Sequence, residues 1–358
     1  MTRDKLRLGF VAILLLSWYG IGHAKSGDRA SVDSSRFSPG WKPKPPRVSG
    51  YIQVFYKYAF ATGDDSLVDN DVFRVQRVRV DVEGDISRRV SYDVEIDPRA
   101  PEISTVLRDA FIRLHVIPRH QIRIGQQKTQ FGYENRESST NLYTVNRTDV
   151  SDNMSRGITL RDIGLGLIGD LKIGKGWRLE DAVTVVNGAG TNVQADNTPR
   201  KNVWGRLGLR YRNDPADYIA RLGISGASGD LFDTGDDPVD PSDDFLLSFN
   251  RYGVDLEFDH PRGFFYAEAV SGHQVDKSTG ETDEPLGWYV AFAGKTRWRV
   301  GPIVRYEDFD DEFKRYTFGA YWGLPQEPIR ILVNYEYRKV FDAVRGDDKL
   351  YVWTQVRF

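Results

Sequence analysis

The nine residues from Leu350 to Phe358 (LYVWTQVRF) alternate without a break. Leu350, Val352, Thr354, Val356 and Phe358 fall on one face of an extended strand, and Tyr351, Trp353, Gln355 and Arg357 on the other. The sequence then stops on an aromatic, with no polar residue after it. Terminal residues of soluble domains usually fray, so an aromatic in that place needs an apolar surface to lie on. A soluble sheet with one wet face accounts for the alternation but gives no reason for the ending.

The same pattern fills most of the chain. After Ser49, alternating segments of roughly ten residues, the length of a membrane-crossing strand, are separated by Gly, Pro, Asp and Asn. Strands are predicted near 50–59, 71–83, 88–97, 105–116, 120–127, 157–170, 177–187, 202–213, 217–227, 247–259, 263–272, 286–296, 298–308, 313–323, 328–340 and 349–358. These make sixteen, an even number. The connections alternate in length. Gly84 to Ser87, Pro118-Arg119, Asn213 to Ala216, His260 to Arg262 and Leu324 to Glu327 are short. The interleaved set, which includes Ala227–Leu246 and Ser271–Pro285, is longer and more acidic, with a short exception around Asp308–Glu312. An even-stranded barrel with both ends in the periplasm has short turns below and long loops above in this phase. The fold expected is an all-β, transmembrane, antiparallel up-and-down β-barrel of about 16 strands.

The faces have the chemistry such a barrel needs. Tyr252, Val254, Leu256 and Phe258 alternate with Arg251, Gly253, Asp255 and Glu257; Ile329, Ile331, Val333, Tyr335 and Tyr337 alternate with Arg330, Leu332, Asn334, Glu336 and Arg338. An Arg or Lys on the lipid face costs about 2–4 kcal/mol at the midplane, which confines these charges to the inner face. Phe73 and Val75 are out of phase with Val78, Val80 and Val82, so a bulge or an early loop boundary is expected there. A mean hydropathy of −0.48 is compatible with a barrel, because every second strand residue faces water.

The amino terminus carries Arg3, Lys5 and Arg7, an apolar run from Leu8 to Ile21, and then Gly22-His23-Ala24. The run falls short of the ~20 residues a spanning helix needs and reads as a secretory signal cleaved after Ala24. The domains expected are a signal peptide at 1–24, a polar proline-rich periplasmic lead-in at 25–48, and the barrel at 49–358. The formal net charge of −2 shows no basic excess for nucleic acid. With no cysteine there is neither disulfide nor thiolate metal site.

Motifs for chemistry fail on inspection. Gly164-Leu165-Gly166-Leu167-Ile168-Gly169 satisfies a dinucleotide pattern, but a helix would have to begin at these glycines, and Gly174 and Gly176 follow. An outward stripe of Ile163, Leu165 and Leu167 in a strand is the plainer reading. His115, His120, His260 and His273 lack metal-ligand spacing, and no nucleophile elbow is present. Neither a cofactor nor a metal nor an enzymatic activity is expected.

The closing strand resembles that of bacterial outer-membrane β-barrels, whose last residue is very often Phe. The resemblance makes Phe358, with Val356 and Val352, the signal for the barrel-assembly machinery. Phe73 to Gly84 (FRVQRVRVDVEG), Leu107 to Phe111 (LRDAF), Ile124 to Phe131 (IGQQKTQF), Arg161 to Gly164 (RDIG) and Asn187-Gly188 resemble, in that order, stretches of the phosphate-selective porin O and P family. The likeness runs from about residue 49 to 358. It implies an outer-membrane channel in contact with lipid, commonly a homotrimer, whose third loop folds into the lumen. Thr129 to Arg156, the longest connection, is then the constriction loop, and Lys128 at its start is a lumen-lining cation.

Strand parity places Arg77, Arg79, Arg113, Arg123, Arg206, Arg210, Arg221 and Arg305 on the inner wall, with Arg136 and Arg147 in the third loop. Inward acids, among them Asp93, Glu95, Asp97, Asp109, Asp255, Glu257, Glu268 and Glu307, are as prominent. One reading is an arginine ladder that guides anions. The other is cross-strand ion pairing that braces a hydrophilic lumen. Lysine, which the phosphate-selective members of the family use, is scarce on these strands. The function expected is an outer-membrane diffusion porin for small hydrophilic solutes, with a preference for anions such as phosphate. A non-selective porin of the same fold and an outer-membrane barrel enzyme are the alternatives.

Overall fold

The computed structural model describes residues 40–60, 71–99, 106–156, 160–194, 196, 198–233, 245–277, 279–309, 313–340 and 348–358. The signal peptide expected at 1–24 and most of the lead-in expected at 25–48 lie outside the described residues, as does the middle of the connection at 227–246. Sixteen long strands follow one another: β1 (Arg47–Ala59), β2 (Asp71–Ser87), β3 (Val90–Ile96), β4 (Leu107–Leu114), β5 (His120–Lys128), β6 (Arg161–Lys172), β7 (Trp177–Val186), β8 (Asn202–Asn213), β9 (Tyr218–Asp233), β10 (Phe245–His260), β11 (Gly263–Asp276), β12 (Leu286–Gly294), β13 (Val300–Phe309), β14 (Phe313–Trp322), β15 (Ile329–Val340) and β16 (Lys349–Arg357). A two-residue strand, Thr282–Asp283, extends the pairing of β11.

Each strand pairs antiparallel with its neighbours in sequence, and β16 pairs with β1 from Tyr51↔Arg357 to Ala59↔Lys349. Closure gives each of the sixteen long strands described a hydrogen-bonded neighbour on both sides, as a bilayer requires. The last ladder rung belongs to the terminal residue. Gly50 N donates to Phe358 O at 2.9 Å and Phe358 N to Gly50 O at 3.0 Å. The apolar face of the final strand points outward, with Val352, Val356 and Phe358 exposed and Tyr351, Trp353 and Gln355 buried.

The irregularity expected in β2 is a bulge. Gln53 pairs with Arg77 and Val54 with Val75, so Gln76 is the extra residue. It returns Phe73 and Val75 to the outer face, where Phe73 packs against Tyr56 with ring centroids 4.9 Å apart. Gly164 to Gly169 lie within β6 with Leu165 and Leu167 exposed, as a strand reading requires.

Two outward aromatic runs border the apolar band. Near the short turns, Trp177, Tyr211, Tyr218 and Phe258 touch in sequence; near the long connections, Trp288, Tyr306, Tyr316 and Tyr337 do so. Such rings suit the two membrane interfaces.

The buried apolar cluster lies inside the barrel. Phe131, Tyr133, Tyr143, Val145, Val150 and Met154, all from the segment after β5, pack with inward side chains such as Trp204, Phe249, Phe264, Tyr266, Tyr289 and Trp353. Phe131 meets Trp204 edge-on at 5.8 Å, a favoured ring geometry. A six-residue π-helix, Ser151–Arg156, ends this segment.

Candidate functional site

The inner surface divides into two kinds of wall. From β9 round to β1, inward side chains hold the segment 129–150. Glu268 on β11 accepts from Tyr133 N at 3.2 Å, Glu134 N at 3.3 Å and the Tyr289 hydroxyl at 2.6 Å. Glu307 on β13 accepts from Val150 N at 3.1 Å and is clasped by Arg315 at 2.9 and 2.6 Å. On β15, Arg330 donates to Thr140 O at 2.6 Å and Leu142 O at 3.0 Å, and Asn334 Oδ1 accepts from Val145 N at 2.8 Å. Within the segment, Glu134 Oε2 accepts from Thr148 N at 2.8 Å and Thr148 Oγ1 at 2.9 Å. Charged partners make these bonds stronger than neutral ones, and their burial makes each costly to break.

The wall formed by β2 to β6 carries ion pairs. Arg79 Nε reaches Asp97 at 3.0 Å and its Nη1 reaches Glu95. Arg161 grips Asp109 with Nε at 3.1 Å and Nη2 at 2.8 Å and also meets Glu95 at 3.2 Å. Arg113 is bonded to Asp93. Arg77 donates to Gln53 at 3.0 Å. The guanidinium of Arg123 lies 4.9 Å from the centre of the Phe111 ring, with Arg113 at 5.0 Å. Several like charges sit directly opposite across the ladder: Arg113↔Arg123, Lys128↔Arg161, Arg210↔Arg221, and Glu95↔Asp109. That arrangement opposes stability, so opposite charges meet along diagonals instead.

The two walls join at β7 to β9. Glu180 lies 3.7 Å from Arg206, 3.6 Å from Arg210 and 3.5 Å from Arg221. Arg136 approaches the same place from the segment 129–156, lining a crevice with Ile168, Gly169, Glu180, Asp181, Ala182 and Arg206.

Arg77, Arg79, Arg113, Arg123, Arg210 and Arg221 stand on inward positions of the ladder, as parity predicts. Arg206 and Arg305 do so with their charge spent on buried partners, and Arg147, in the segment after β5, is engaged in the same way. Arg147 donates to Glu134 O and to Glu137 O, the latter at 2.8 Å. Arg305, with a side chain 0% exposed, donates to Thr144 Oγ1 at 3.0 Å and Asn146 O at 2.7 Å. Lys128 donates to Glu137 O at 2.9 Å. Sequence reading passed over Arg161, Arg315 and Arg330 as site residues. All three share the inward parity of their strands or the boundary of the third connection, which was the available signal. At the outer rim, the Lys201 ammonium hydrogen-bonded to Asp196 holds that carboxyl below the usual carboxylate range.

His115 Nε2 pairs with Ser91 Oγ at 2.9 Å and His120 Nε2 with Asp181 at 3.1 Å, each closing a local contact. The Ile124-to-Phe131 motif also has a physical basis. Gly125 adopts φ 130°, and a Cβ there would overlap the carbonyl of Ala110; six residues on, Phe131 is fully buried.

Residues 47–200 match the family model described as phosphate-selective porin O and P. Over that stretch the chain resembles an outer-membrane porin, and its closed sixteen-stranded barrel is the fold of such porins. Solved structures share the fold at low identity. An anion-selective porin from Comamonas acidovorans is 11% identical at a TM-score of 0.60, covering 88% of this chain and 100% of that one. The outer membrane channel DcaP of Acinetobacter baumannii is 14% identical at a TM-score of 0.56, covering 87% and 97%. Salmonella typhi OmpF, in complex with daunomycin, is 12% identical at 0.58, also covering 87% and 97%. No curated protein matches the chain. The matched stretch and the barrel fold point to a channel.

Proposed function

We propose that the porin passes small hydrophilic solutes by diffusion and favours anions. One observation carries the preference. Where the wall of β2 to β6 meets the start of the 129–156 segment, Arg77, Arg79, Arg108, Lys128 and Arg161 outnumber Glu95, Asp97 and Asp109. Asp81, Glu83 and Asp93 stand farther along the same wall beside Arg113. Fixed charge in a narrow, partly desolvated passage acts on ions far more strongly than the same charge in bulk water. In this reading the segment 129–156 is the constriction, clamped to one half of the lumen so that ions pass along the other.

The reversal potential of the purified protein in a planar bilayer under a KCl gradient tests the assignment. A chloride-selective potential, with conductance reduced by added phosphate, supports an anion pathway with an oxyanion site. A potential near zero supports a general porin, the reading favoured by the dense pairing of Arg79, Arg113 and Arg161 with acids. A cation-selective potential sinks the anion assignment.

The assembly proposed is a homotrimer. Outward side chains of β4 to β6, such as Ile112, Ile124, Leu165 and Leu167, are aliphatic, in contrast to the aromatic runs elsewhere. That face suits a second copy of the chain, and cross-linking through cysteines introduced there tests it. Phe358, Val356 and Val352 are assigned to recognition by the assembly machinery, and residues 1–24 to a signal removed on export.

A further inference from the structure

Arg206, on an inward position of β8, lies folded along the wall rather than extended into the lumen. Its side chain is 1% exposed, and Nε and Nη2 donate to Asp255 on β10 at 2.8 and 2.5 Å. To reach a strand two places away, the guanidinium crosses the ladder row in which Glu180, Gly208, Gly223 and Asp255 are successive neighbours. The two glycines are the gap it lies in. A Cβ at Gly223 would overlap Cζ and Nη2 of Arg206 together with Asp255 Oδ2, and a Cβ at Gly208 would press on Nη1 at 2.5 Å. Neither glycine has a positive φ, so what the row needs is space and not backbone freedom. Glycine inside a strand costs stability, and here two stand side by side.

The geometry points to Gly208 and Gly223 as selectivity-determining residues: they form a trough that stows the Arg206 charge in the wall. Stowed in this way, Arg206 meets the crevice at its edge, where Nη1 lies 3.7 Å from Glu180 while Nε and Nη2 stay on Asp255. Filling the trough lifts Arg206 off Asp255 and toward passing ions. The inference rests on the proposed reading of this lumen as the ion pathway.

The test is the reversal potential of Gly223→Ala and Gly208→Ala in planar bilayers under a KCl gradient, with heat-modifiable gel migration to certify the barrel. The anion-to-cation permeability ratio is expected to rise about fivefold in Gly223→Ala. That combines a Boltzmann factor of a little over two for the anion with its inverse for the cation, for a unit charge brought to roughly 8 Å from an ion in water. A smaller rise is expected in Gly208→Ala, where only the tip of the guanidinium is displaced. Asp255→Asn, which frees Arg206 without adding a side chain, should shift the potential the same way. Gly226→Ala, on the outward row with only a carbonyl at 4.0 Å, should change nothing. In an Arg206→Gln background both glycine effects should vanish, because Arg206 carries them. Unchanged potentials in folded Gly223→Ala and Gly208→Ala overturn the inference while leaving the porin reading intact, as does a shift that persists without Arg206. A wild type that does not conduct overturns both.

Discussion

Replacing Glu268 by alanine should loosen the segment 129–156 at its first clamp. The carboxylate is 2% exposed and gathers three buried donors, Tyr133 N, Glu134 N and the Tyr289 hydroxyl. Gly132 is fitted to it, since its φ is 56° and a Cβ would overlap Oε1 of Glu268. Each buried donor left without a partner costs about 1–3 kcal/mol, so the gross penalty is about 3–9 kcal/mol. The lower end is expected, because the Tyr289 hydroxyl can turn and water can enter the vacated space. The segment should not detach as a whole, because Ser225, Glu307, Arg330 and Asn334 hold it elsewhere. The expected phenotype is a folded barrel with a lower melting point by heat-modifiable migration, noisier single-channel current, and cleavage by protease within 129–156. Glu268→Gln should fall between, since it keeps the shape but turns an amide N–H₂ toward donors. Wild-type noise, melting and protease resistance in Glu268→Ala would refute the clamp.

Arg161→Gln should move the reversal potential toward cations, because it leaves Asp109 and Glu95 without their shared guanidinium; an unmoved potential would mean that this wall does not face the ion path. Trp204→Ala removes a 3%-exposed ring that packs on Phe131 and Phe249 and should cost about 3–5 kcal/mol, read as a lower melting point with selectivity preserved. Deleting Phe358 removes both bonds to Gly50 and should slow folding into liposomes that carry the assembly machinery more than into bare ones; an equal effect in both would show that the assembly signal lies elsewhere.

What was legible in the sequence is what period two and a lipid boundary dictate. The alternation of Tyr252 to Phe258 or Ile329 to Tyr337 follows from confining charge to one face, and the outward set is exposed on every one of these strands except at Tyr335. Even the misfit at Phe73 and Val75 located its bulge, though not the extra residue Gln76. Parity could not say which inward arginine is presented to solvent and which is consumed. Arg79 and Arg305 look alike along a strand. One pairs across neighbouring strands, the other with Thr144 and Asn146, more than a hundred residues away in the chain. The trough at Gly208 and Gly223 was equally hidden, because a small inward residue reads as filler until the side chain that occupies its place is known.

The two walls predict a separation of effects. On the clamped side, carboxylates and guanidiniums bind backbone atoms of the 129–150 segment, so their removal should act first on stability and current noise. On the β2–β6 side, charges pair with other wall charges, so neutralising one leaves an opposite charge exposed or buried and should act first on ion selectivity. Arg330 and Arg161 make the comparison fair, since both are buried arginines with two or more partners. If Arg330→Met changed selectivity and left the noise alone, while Arg161→Gln did the reverse, the division of the lumen into a clamped half and a conducting half would be untenable.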